Sequence, residues 1–169
     1  MKNLIFLISI FTTQLLSAQN AIQFTSEFKI TGMVKKEKTI SLSDLKQYPA
    51  IELNDVNVSC SPKQENRVSG IKVVLLKNIL DSVSFQYEKS RMLNQYYFLF
   101  VASDGYKMVF SFNEIYNTEI GKNLFLVTEM SGKPIADMDN RIMIITTKDF
   151  KGGSRNMKWL EKIIVCKAE

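Results

Sequence analysis

Apolar positions in this chain alternate with polar ones more often than they recur at helical spacing. Over residues 27–34, Phe28 and Ile30 fall on one side of an alternating segment, the period of a half-buried strand, and Gly32 marks a bend in it. Lys35-Lys36-Glu37-Lys38 is a polar turn tip, and residues 39–42 resume as a short extended piece. Ser41 or Ser43 can cap one or two helical turns that run to Gln47 and stop before Pro49. Residues 51–60 are extended again, with Val56 and Val58 alternating and Cys60 at the end. Residues 73–80 break the pattern. They are apolar over most of a helical circumference, with Lys72, Lys77 and Asn78 as the polar positions, and predict a helix buried on most sides.

The second half is more strongly strand-like. Residues 95–102 carry Tyr96, Tyr97, Phe98 and Phe100, aromatic enough for a core strand. Ser103-Asp104-Gly105 is a tight turn, and residues 106–110 return as the partner strand of a hairpin. Ser111-Phe112-Asn113-Glu114 is a capping box that opens a short helix to about Asn117. Residues 123–129, 141–146 and 159–166 predict three further strands, with Ser131-Gly132-Lys133-Pro134 as a turn. Many short strands with a few short helices predict a β-rich α+β fold with a mixed sheet. No repeat or linker divides the chain, so residues 19–169 are expected to form one domain.

Residues 1–18 stand apart from that domain. Lys2 supplies a positive start, residues 4–11 are apolar, and Leu16-Ser17-Ala18 ends on a small residue before Gln19. This is the pattern of a secretory signal peptide cleaved after Ala18, which predicts a periplasmic or secreted protein. The apolar run is shorter than the ~20 residues a membrane span requires, and no later stretch is longer, so no transmembrane segment is expected. Loss of Lys2 lowers the formal charge from +5 to +4, a mild excess spread along the surface. With no nucleic-acid motif and with export, a nucleic-acid partner is not expected.

The chain contains no histidine. Ser-His-Asp and Cys-His catalysis, imidazole-ligated zinc and His-held haem are therefore excluded. Chemistry must rest on cysteine, carboxylates, lysine, tyrosine or a bound cofactor. The two cysteines, Cys60 and Cys166, leave open a disulfide in an oxidising compartment. Cys60 sits at a strand end, before a polar loop carrying Lys63 and Arg67. A thiol facing basic side chains and free backbone N–H groups is a seat for a soft metal or an anion; a buried small residue is the alternative. The adjacent Gly152-Gly153 allows close approach of backbone to an anion, or simply a flexible loop. Asp137 and Asp139 read as a solvated loop, and Trp159 as a core residue rather than a stacking platform.

The ordered set of these pieces resembles the oxidoreductase molybdopterin-binding domain of the sulfite oxidase family. The matching pieces run from Ile30-Thr31-Gly32-Met33-Val34 through Val58-Ser59-Cys60 and Ser69-Gly70-Ile71. They continue through Ala102-Ser103-Asp104-Gly105-Tyr106, Phe110-Ser111-Phe112-Asn113-Glu114, Ser131-Gly132-Lys133-Pro134 and Arg141-Ile142-Met143-Ile144, to Lys158-Trp159-Leu160. The resemblance implies that Cys60 is the metal ligand. It implies molybdopterin or another pterin, a small anionic heterocycle, as the cofactor, and Lys63, Asn66, Arg67, Asp104, Lys151, Gly152, Gly153, Ser154 and Arg155 as the residues holding it. It places Cys60, Arg67 and Arg155 around one hollow. The reading that follows is an exported pterin-binding module without turnover. A cofactor-free structural or interaction domain is the alternative, and a molybdenum oxidoreductase using Cys60 the second. Two departures weigh against catalysis: family enzymes commonly place histidine in the cofactor cleft, and the signal lacks the arginine pair used to export folded, cofactor-loaded chains.

Overall fold

A computed structural model describes residues 24–61, 63–150 and 153–169. The expected signal segment, residues 1–18, lies outside them, as do Lys151 and Gly152 of the candidate anion loop. The first strands are β1 (Glu27–Gly32), β2 (Lys38–Ser41), β3 (Ala50–Leu53), β4 (Val56–Asn57), β5 (Arg67–Val68) and β6 (Ile71–Leu75). Helix α1 (Leu76–Leu80) and the hairpin β7 (Tyr96–Ala102) and β8 (Lys107–Ser111) lead to helix α2 (Phe112–Asn117). Strands β9 (Leu124–Met130), β10 (Lys133–Pro134), β11 (Ile144–Thr146) and β12 (Leu160–Lys167) complete the domain.

Two sheets enclose the core. One has the order β2-β1-β12-β7-β8; the other has the order β10-β9-β6-β3, with β11 also paired to β9. β1 runs parallel to the C-terminal strand β12, while β12 is antiparallel to β7, so the first sheet is mixed. Its alternation is that of the sequence: Phe28 and Ile30 of β1, Phe98 and Phe100 of β7, and Ile163 and Val165 of β12 are buried in one cluster with Val73, Leu76, Ile79 and Val127. β4 and β5 form a separate two-stranded ribbon that carries the Cys60 loop.

Several expected elements have different boundaries. The buried helix expected over residues 73–80 is a strand to Leu75 and a helix only from Leu76. β-branched Ile71, Val73 and Val74 favour the sheet, where β6 lies between β3 and β9 and is buried on both faces. A strand buried on both sides shows no alternation and reads like a buried helix. The extended run over residues 51–60 breaks at Asp55, whose φ of 55° is left-handed, and so divides into β3 and β4. The turns through Gln47 are 3-10; Ser41 Oγ accepts from Asp44 N–H at 3.3 Å and the Asp44 carboxylate accepts from Ser41 N–H at 2.8 Å, while the Ser43 side chain makes no capping bond. The capping box is as expected: Glu114 N–H donates to Ser111 Oγ at 3.1 Å and Ser111 N–H donates to Glu114 Oε2 at 2.8 Å.

Candidate functional site

The Cys60 loop leaves β4 and returns as β5, and its base is closed by Asn57. The Asn57 Oδ1 accepts from Ser59 N–H at 3.0 Å and from Asn66 N–H at 3.1 Å, and Val58 N–H donates to Asn66 O at 2.8 Å. A second clamp comes from the C-terminal loop. Asn156 is 1% exposed. Its Nδ2 donates to Asn57 O at 3.2 Å and Ser59 O at 2.7 Å, and its Oδ1 accepts from Thr146 N–H at 2.9 Å. Gly153 packs against the same loop. With φ of +92°, a Cβ there would stand 2.7 Å from Ser61 O, a contact real side chains do not make. Residues 153–156 therefore form the rigid bed on which the Cys60 loop lies.

Two clefts meet at Cys60. The larger, about 590 Å³, is lined by polar groups that include Gln64, Asn66, Asn140 and Lys158. The smaller, about 290 Å³, takes Asp104, Tyr106, Asn156, Lys158 and Trp159. The Cys60 residue is exposed, and its thiol is only partly enclosed by the surrounding residues. That enclosure pushes its pKa up; Lys158 pulls it down and Asp104 pushes it up again. The net shift is upward, so the thiol is protonated near neutral pH unless a metal displaces the proton. Iodoacetamide alkylation of Cys60 is expected to be slow at about pH 7 and to rise at higher pH than that of a free cysteine. Lys158→Ala should slow it further and Asp104→Asn should speed it. Alkylation at neutral pH faster than that of free cysteine contradicts this electrostatic picture.

The expected site residues divide. Asn66, Asp104 and Cys60 line the clefts. Asp104 also serves the turn, where its Oδ1 accepts from Tyr106 N–H at 2.9 Å. Gly153 and Ser154 are adjacent but structural: Gly153 supports the loop, and Ser154 O accepts from Tyr106 Oη at 2.7 Å. Lys63 is exposed and lines neither cleft.

The two arginines expected to share a hollow with Cys60 do not line its clefts. Arg67 donates from Nε and Nη2 to the Asp55 carboxylate at 2.6 and 2.7 Å and belongs to a separate cleft. Arg155 is bound by Asp149 and Glu114 and lies over the Phe110 ring, 4.4 Å from its centroid. Each guanidinium is drawn to a nearby carboxylate, a partner that residue order alone does not reveal.

Lys158, Tyr106, Trp159 and Asn156 form the site in their place. Lys158 belongs to a charged cluster over residues 148–158 that reads as solvated surface. Trp159 is half-buried rather than core; its Nε1 donates to Asp139 O at 2.7 Å, and Lys158 Nζ lies 5.9 Å from its ring centroid. Cys166 lies six residues along β12 from Leu160, about 20 Å from the Trp159 end of the strand at ~3.3 Å per residue. Both cysteines are free thiols; Cys60 lines the cleft at that Trp159 end, which leaves Cys166 too far along β12 for a disulfide.

Mixed-sheet architecture and a cysteine presented at a polar cleft point to one class of domain. The family model for the oxidoreductase molybdopterin binding domain matches residues 18–169, and the chain belongs to that family. Among solved structures, the sulfane dehydrogenase SoxCD from Paracoccus pantotrophus is similar, with a TM-score of 0.57 at 12% identity. The match covers 86% of this chain and 40% of that one, so the likeness is one of fold and this chain spans well under half of that protein's length. No curated protein matches the chain. Among the described residues no helix is long and apolar enough to cross a membrane.

Proposed function

We propose that this domain is an exported pterin-binding module, holding molybdopterin or a related pterin in the Cys60 cleft without turnover of its own. The observation that carries the reading is a solvent-reachable thiol at the junction of two clefts, on a loop fixed by the fully buried side chain of Asn156. Burying an amide to hold two loop carbonyls is a costly way to build an ordinary turn, and it suits a loop that must present one group accurately.

The residues fit such a group. Cys60 is a soft ligand for molybdenum beside a dithiolene and would be its single protein ligand; among the described residues no cluster of three or more His, Cys, Asp or Glu offers another metal seat. Gln64, Asn66 and Asn140 offer both donors and acceptors to the edges of a pterin ring. Trp159 offers a stacking face, and Lys158 offers a cation to a phosphate. The bound group would supply two-electron redox chemistry; the chain holds and orients it.

The charges favour binding over turnover. Lys158 is balanced by Glu65 and Asp104 along the clefts, while Arg67 and Arg155 are engaged by carboxylates elsewhere. Among the described residues Lys158 is the one cation lining the two clefts; it suffices for a phosphate but gives little attraction to a second, oxyanionic substrate. Protein purified from the compartment to which it is exported is expected to release about one fluorescent pterin per chain on acid oxidation. Cys60→Ser and Lys158→Ala should each lower that yield by about tenfold. The loaded protein should leave sulfite unoxidised with ferricyanide as acceptor. A pterin blank from native material contradicts the binding reading, and sulfite turnover contradicts the absence of catalysis.

A further inference from the structure

Strand β8 is a free edge of the first sheet, and its backbone is aimed outward. In the hairpin Ala102 N–H donates to Tyr106 O at 2.9 Å, which fixes the phase of the β7–β8 ladder. The pairs beyond it alternate without a register shift. Phe100–Met108 and Phe98–Phe110 therefore exchange hydrogen bonds, while Val101–Lys107, Leu99–Val109 and Tyr97–Ser111 do not. The N–H and C=O of Lys107 and Val109 point away from β7, and among the described residues they have no partner. Ser111 N–H faces the same way and is taken by Glu114 Oε2 at 2.8 Å. Val109, 49% exposed, also ends a row that crosses the outer face of the sheet in register, Thr31–Ile164–Leu99–Val109. Its three apolar members lie outside the buried core. Natural sheets protect such edges with a proline, a bulge or a central charge, and β8 has only Lys107, at its end.

The strand matches a second copy of itself. About a two-fold axis at Val109, that residue faces the partner's Val109 with both N–H and C=O groups placed to exchange hydrogen bonds. Lys107, the one charge of β8, then faces the partner's Ser111, so the two lysines stay at opposite ends and no like charges meet. It also approaches the partner's Tyr97, beside which Glu169 supplies negative charge. The two apolar rows join end to end across the axis. The longer of the other edges are interrupted: Asp44 takes the Ser41 N–H at the end of β2, and Pro49, with no N–H, precedes β3. We propose that two copies of this chain pair β8 to β8, antiparallel and centred on Val109, into one continuous sheet. A single strand pair buries less than the ~800 Å² per partner of a stable interface, so the dimer is weak and reversible. It is independent of the pterin reading.

Sedimentation equilibrium of the full exported chain from about 5 to 500 µM is expected to show the mean mass rising from one chain toward two. Val109→Lys and Val109→Glu each set like charges face to face on the axis and should each stay monomeric over that range. Val109 is half exposed, so both variants should fold, which circular dichroism checks. An equimolar mixture of the two should dimerise about tenfold more tightly than either alone, because lysine then faces glutamate. Ile51→Lys, on the β3 edge, should dimerise as the wild type does. A wild-type chain that stays monomeric at the highest concentration, dimerisation undiminished in either Val109 variant, no gain when the two folded variants are mixed, or loss of the dimer in Ile51→Lys overturns the proposal.

Discussion

Replacing Arg155 by alanine is expected to cost about 2–3 kcal/mol of stability, below the full penalty for breaking a buried ion pair because the guanidinium remains about a quarter exposed. Three interactions are lost together. The guanidinium binds Asp149 through Nε and Nη2, reaches Glu114 Oε1 at 2.7 Å through Nη1, and covers the Phe110 ring. It ties the C-terminal loop to the start of α2 and to β8. Removing it strands two largely buried carboxylates, which costs more than the pair contributes when intact. Lysine should recover only part of the loss, because a single ammonium cannot grip Asp149 through two nitrogens.

The same network sets a pH dependence. Burial pushes the Glu114 carboxyl up, but the hydrogen bonds from Ser111 and Arg155 outweigh it and hold it below its ordinary range. A depressed carboxyl contributes stability that is fully present above the unfolded value of about 4.3 and is lost as the pH falls through the lower, folded value. Arg155→Ala should therefore lower the melting temperature at neutral pH and also flatten its decline below about pH 4.3. Thermal melts by circular dichroism across pH 3–7 check both; an unchanged slope would mean the pair does not couple to folding.

The second large effect belongs to Asn156. Asn156→Ala leaves Thr146 N–H, Asn57 O and Ser59 O without their partner, at about 1 kcal/mol for each lost bond, so about 3 kcal/mol in all. Asn156→Asp is the sharper test. Its carboxylate still accepts from Thr146 N–H, but it sets negative charge against two carbonyl oxygens and should be at least as destabilising as alanine. In both variants the Cys60 loop loses its clamp, so hydrogen exchange over residues 57–61 should rise together with Cys60 alkylation. Faster exchange elsewhere with an unchanged Cys60 loop would show that Asn156 supports the core and not the site.

The sequence is most legible where one face of an element meets water. β1, the β7–β8 hairpin and β12 alternate plainly, and the Ser111–Glu114 box announces α2. It is least legible where both faces are buried, as in β6, whose apolar run carries no period. The site follows the same division. Cys60 is visible as a candidate because a thiol before a polar loop is unusual, although β4 ends at Asn57 and the thiol sits in the loop beyond it, not at the strand end the sequence suggests. Arg67 and Arg155 mislead because their positive charge is visible in the sequence while the carboxylates that engage them, Asp55, Asp149 and Glu114, are brought near only by folding. Asn156 and Lys158 go unread for the complementary reason. Nothing in the order Arg155-Asn156-Met157-Lys158 marks one side chain as a buried clamp and another as the cation of the cleft.

The function of this domain turns on what occupies the cleft at Cys60. Non-denaturing mass spectrometry of protein recovered from its native compartment, beside the Cys60→Ser variant prepared the same way, addresses this directly. The wild-type chain should carry an added mass matching a pterin, with or without molybdenum, and the variant should appear as the bare chain. A wild-type spectrum holding only the bare chain, or an adduct equally abundant in the variant, contradicts the assignment of this cleft.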